Sequence, residues 1–119
     1  MKGSKQIIVG LLILALWFFP ASMVVAQDLT KGIKFLDDVK KVEWYKANGK
    51  HIIIGWKGIP DDFYQWNYKT ALSASKLTQY EVYVWAVRYH QKNWSPGEGG
   101  QICISTATRG RFGKTNCKK

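Results

Sequence analysis

The stretch from Val42 to Trp56 constrains the fold more than any other part of the chain. Two runs of aromatic and β-branched residues, Val42-Glu43-Trp44-Tyr45-Lys46-Ala47 and Lys50-His51-Ile52-Ile53-Ile54-Gly55-Trp56, are separated by Asn48-Gly49. Asn-Gly supplies the positive φ angles that a two-residue hairpin turn demands, so this spacing predicts a tight antiparallel hairpin. The turn sets a register in which Lys46 faces His51, Tyr45 faces Ile52, Trp44 faces Ile53 and Glu43 faces Ile54. One face then collects Tyr45, Ile52, Ile54 and Trp56, and the other Val42, Trp44 and Ile53. A hairpin that is apolar on both faces needs partners: more strands, and cover on part of each face or an exposed aromatic surface.

The rest of the chain offers those partners. Leu29 to Lys41 is expected to form a short helix capped by Thr30, with Ile33, Leu36 and Lys40 three to four residues apart. Pro60-Asp61-Asp62 reads as a helix start, and Phe63, Trp66, Thr70, Ala71, Ala74 and Leu77 recur at helical spacing. A main amphipathic helix is therefore expected over Asp61 to Ser75, with Ala71 and Ala74 allowing close approach to a sheet. Tyr80 to His90 alternates as a long central strand, with Tyr83, Trp85, Val87 and Tyr89 on one face and Val82, Val84, Ala86 and Arg88 on the other. Asn93 to Gly100 is a loop by composition. Gln101 to Thr108 is a further strand, Arg109 to Lys114 a basic turn, and a last short strand runs to Cys117. This order predicts an α+β fold: an antiparallel sheet of four to five strands, one main amphipathic helix packed on a face, and one disulfide.

The N-terminus has a different character. Lys2 and Lys5 precede an uncharged run from Ile7 to Phe19, then Pro20 and small residues ending at Ala26. This is the layout of a secretory signal peptide over residues 1–26, leaving one small basic domain over 27–119 and no stable membrane span after cleavage. Within that domain, 16 Lys and Arg (18 less Lys2 and Lys5) stand against 8 Asp and Glu, a net charge of +8. Cys103 and Cys117 are the two cysteines. An even count in an exported chain points to one bridge and to a periplasmic or secreted location.

Motifs for chemistry are sparse. Ser73-Ala74-Ser75-Lys76 matches Ser-x-x-Lys, but the partner motifs of penicillin-recognising enzymes are missing. Gly113-Lys114-Thr115 lacks the first glycine of a phosphate loop, since Thr108 stands at its place. Two cysteines at this spacing, with only His51 and His90 elsewhere, make no zinc pattern, and no cofactor signature is present.

What remains is charge and rings. Lys92, Trp94, Arg109, Arg111 and Lys114 are the candidate ligand-binding residues, with cations for long-range attraction and a loop tryptophan either stacking on a ligand or folding back as an anchor. These features point to an exported, non-catalytic binding module for an anionic partner: an envelope glycan, a lipid head group or an acidic protein. Nucleic acid suits the charge but has no motif behind it. One alternative is a small secreted hydrolase such as a ribonuclease, which would need Glu81 or Glu43 to meet a histidine from another strand. Another is an inhibitor-type protein docking on one protein partner.

Overall fold

A computed structural model describes residues 28–119; the expected signal peptide lies outside them. The chain forms β1 (Val42–Asn48), β2 (His51–Trp56), the helix α1 (Phe63–Ser75), β3 (Glu81–Arg88), β4 (Cys103–Thr108) and β5 (Arg111–Thr115). The strands make one five-stranded sheet in chain order. The β1–β2, β3–β4 and β4–β5 pairs are antiparallel. β2 and β3 run parallel, because α1 carries the chain back across the sheet between them,. The sheet is thus mostly antiparallel, with its main helix packed on one face.

The hairpin forms at the expected place with a shifted turn. Asn48 pairs with His51 and Tyr45 with Ile54, so the turn residues are Gly49 and Lys50. Gly49 takes φ +61 while Lys50 stays out of the left-handed region, which suits a turn with glycine at its first central position. The shift is two residues across the pair, so side chains keep their expected faces. Val42 is the exception. A bulge between Val42 and Trp44 turns it toward the helix side, where it packs against the main core,.

That core lies between the sheet and α1. Ile52, Ile54, Trp56, Val82, Val84, Ala86, Cys103 and Ala107 from the strands meet Phe63, Ala71 and Ala74 from the helix. Ala71 and Ala74 are fully buried, so the helix lies close on the sheet as their small size requires. Trp56 fills the end of this layer, edge-on to Phe63 with ring centroids 4.8 Å apart. α1 begins at Phe63 rather than Asp61, after a Phe63 amide bond to the Pro60 carbonyl.

The N-terminal helix is replaced by two 3₁₀ turns, Leu29–Gly32 and Lys34–Asp38. The buried residues there are Leu29, Ile33, Leu36 and Val39. Spacing by three from Ile33 to Val39 is the 3₁₀ period, and Val39, not Lys40, completes the stripe. Ile33 leaves helical conformation at φ −129 between the two turns. The cap is Asp28, whose carboxylate accepts from the Thr30 amide at 3.0 Å and its hydroxyl at 2.7 Å.

Cys103 and Cys117 are disulfide-bonded, with their Cα atoms 4.9 Å apart. The bridge ties the tail beyond β5 to the start of β4. Closing a loop of this length is worth about 3 kcal/mol in the chain-entropy model.

Candidate functional site

Among the described residues, the sheet face away from α1 is covered at one end. The segment after β3 folds back there, and Trp94 packs with Ile53 and Val87 against Trp44 and Trp85. Trp94 is only 5 % exposed, and its indole N–H donates to the Gly99 carbonyl at 2.7 Å. Trp44 donates to the Tyr89 carbonyl at 2.7 Å. Trp94 is therefore a loop anchor, the second of the two roles the sequence allowed it, and its place among the candidate ligand-binding residues is corrected. Among the described residues Trp56 and Trp94 are the buried tryptophans, while Trp66 and Trp85 are half-buried. Trp66 packs at the margin of the helix-side core, and Trp85 lies on the opposite face of the sheet. Trp66 stacks on Phe35 at 5.9 Å, with the Lys69 ammonium over both rings.

Beyond the Trp94 plug the open face carries side chains that the register brings together. His51 is paired with Tyr83, and Tyr83 with Thr106. The His51 and Tyr83 rings stack, with centroids 5.2 Å apart and planes 26° apart. Trp85 donates its indole N–H to His51 Nδ1 at 3.0 Å. The neutral imidazole must then carry its proton on Nε2. Burial, then the neighbouring Lys50 charge, lowers the His51 pKa below its usual value. The Tyr83 hydroxyl donates to Glu81 Oε1 at 2.7 Å, and this bond, more than desolvation, raises the Tyr83 pKa. The Lys50 ammonium sits 5.5 Å from the Tyr83 ring centroid.

β5 borders this row. Phe112 opposes Ala107 and Thr115 opposes Ser105, leaving both Gly113 and Lys114 opposite Thr106. Such a bulge turns both residues to the face of the one they oppose. Gly113 is needed there, since a Cβ would lie 2.5 Å from Thr106 Oγ1. The Thr106 hydroxyl in turn accepts from the Lys114 amide at 3.0 Å. Arg111 pairs with Thr108, which pairs with Glu81, so all three share the open face. Arg109 and Gly110 form the β4–β5 turn at φ +51 and +81. A shallow, open depression of about 610 Å³ is lined by Thr108, Arg109, Arg111, Phe112 and Gly113.

The sequence-predicted cations thus divide. Arg109, Arg111 and Lys114 gather at the β5 edge. Lys92 and Trp94 lie diagonally across the sheet, where the Lys92 carbonyl accepts from the Lys46 ammonium at 2.9 Å. Tyr83, and Lys50 beside its ring, also belong to the open face and were missed in the sequence reading, which weighed His51 only as an acid or base. Their signal was present: the two alternations already placed Tyr83 with Trp85, and only the β2–β3 pairing was needed to add His51.

Among the described residues, no group of three or more His, Cys, Asp or Glu could hold a metal ion, and no helix is long and apolar enough to cross a membrane. Comparison with protein-family models, with curated proteins and with solved structures returned no match.

Proposed function

We propose that this protein is a non-catalytic binding module that takes an anionic ligand on the open face of its sheet. The observation that carries the reading is that Arg109 and Arg111 line one depression, with Lys114 further along β5 and a half-exposed ring pair, His51 and Tyr83, on the same open face. Glu81 is the carboxylate that shares this surface, and it already accepts from Tyr83. Clustered cations raise the local concentration of an anion, and adjacent rings add short-range contact. The disulfide suits work in an oxidising compartment such as the periplasm or the cell exterior,. An envelope glycan, a lipid head group and an acidic protein all supply the required charge.

Heparin is a convenient probe. Its affinity, measured from low to high salt, is expected to fall steeply because bound cations release counterions. Replacing Arg111 and Lys114 together by Gln should flatten that dependence, while Lys92→Gln leaves it unchanged. Affinity that ignores salt, or that depends on Lys92 rather than on β5, overturns the proposal.

A second reading, a small phosphodiesterase, has one observation in its favour. Glu81 and His51 stand on adjacent strands with their side chains on the same face, and Arg111 lies two strands beyond Glu81. Both acid–base candidates are already engaged, His51 by Trp85 and Glu81 by Tyr83. Incubation with RNA decides it: no cleavage, or cleavage untouched by replacing both His51 and His90, removes this reading.

A further inference from the structure

We infer that the anionic ligand of the open face is single-stranded nucleic acid, with a base stacked on Tyr83 and the phosphates following β5; this rests on the binding role proposed above. The shape of the slot beside Tyr83 is the argument. Across the sheet from Tyr83, its next two neighbours on this face are Thr106 and Gly113. Neither raises a bulky side chain, so Tyr83 borders a low floor about 10 Å wide that ends at Lys114, which the β5 bulge also sets opposite Thr106,. A flat ring can lie there against the phenol, extending a stack that His51 already begins on the other side at 5.2 Å.

The far side of the floor is cationic. Arg111 and Lys114 lie about 10 Å apart along β5, and Arg109 precedes them in the β4–β5 turn,. That is a track for a backbone of repeated phosphates, which the planar guanidinium groups suit especially well. A base reaching from β5 to Tyr83 must be unpaired and unstacked from a partner strand, so a duplex cannot make this contact. A sulfated or carboxylated glycan satisfies the cations but offers no π-face for the phenol. Aromatic rings beside a basic groove are how sequence-tolerant single-strand binders work.

The test is fluorescence anisotropy on the full purified protein with a labelled dT 12-mer, a 12-base-pair duplex and heparin at one salt concentration. DNA lacks the 2′-hydroxyl, so ribonuclease chemistry cannot consume this probe. The single strand is expected to bind at least tenfold more tightly than the duplex. Tyr83→Ala and Tyr83→Leu should each cost the single strand about tenfold, as loss of one stacked base does, and cost duplex and heparin several-fold less than that. Tyr83→Phe should retain wild-type affinity. Tyr83→Leu keeps apolar bulk on the strand, so it reports stacking even where the alanine variant unfolds. A duplex or heparin bound as tightly as the single strand, or a leucine variant with undiminished single-strand affinity, overturns this inference while the charge-driven role stands. Failure of all three probes to bind sinks both.

Discussion

Arg109 is held in the left-handed region at φ +51, unlike every other non-glycine residue among those described. A side chain there is strained by about 1 kcal/mol, and Asn tolerates the conformation far better. Arg109 gains little in return within the protein: its Nε donates to the Gln79 carbonyl at 3.4 Å, on the surface. Such a long, exposed bond offsets roughly half of the strain at most. Arg109→Asn is therefore expected to stabilise the domain by about 0.5 kcal/mol, a rise in Tm of about 2–4 °C for a chain of this size. The same change removes a cation from the depression, so polyanion affinity falls and its salt dependence weakens by about one contact. The two effects have opposite signs, which a merely structural arginine would not produce. Thermal unfolding followed by circular dichroism, alongside heparin binding, reads both. A lower Tm, or a higher Tm with unchanged binding and salt slope, refutes the reasoning that Arg109 is kept for a ligand at the expense of stability.

Three other perturbations bear on the fold that presents this face. Gly55→Ala places a Cβ 2.2 Å from Trp44 Cε2, so the indole must leave and its bond to Tyr89 breaks; a loss of about 2–3 kcal/mol is expected in urea unfolding, and a cost under about 0.5 kcal/mol contradicts the packing. Replacing Cys103 and Cys117 by Ala should lower stability by about 3 kcal/mol, read by the same titration against the oxidised protein; no change on removing the bridge contradicts it. The depressed His51 pKa means that the unfolded chain binds a proton more readily than the folded one. Stability should therefore decline as pH falls below about 6.5, the unperturbed histidine value. His51→Gln removes this decline, and a wild type that gains stability on acidification through that range contradicts the assignment.

Much of this architecture was legible in the sequence because period and turn chemistry act locally. The alternation of Val82 to Val87 predicted the core face of β3, and Ala71 and Ala74 predicted the close helix. The hairpin's faces survived a misplaced turn because a shift of two residues preserves side-chain direction. What escaped was long-range or energetic in origin. The parallel pairing of β2 and β3 follows from where α1 deposits the chain, which no local pattern records. The first segment reads as an α-helix until the period of three among Ile33, Leu36 and Val39 is noticed. Trp94 drew attention as a ring in a polar loop, yet a ring this large gains most by folding onto Ile53 and Val87,. The candidate site was half visible: Arg109, Arg111 and Lys114 stand out as charges, whereas Tyr83 and His51 look like strand residues until the sheet order sets them together on the open face, two and three strands from β5.

Amide shifts of the isotope-labelled protein, followed by NMR as a short heparin oligosaccharide is added, test the central claim most directly. The account predicts that the perturbed amides map to Tyr83, Thr106, Thr108, Arg111 and Lys114, with Tyr64, Tyr68 and Lys119 on the helix side unmoved. Shifts confined to the helix side, with the β4–β5 surface silent, would contradict it.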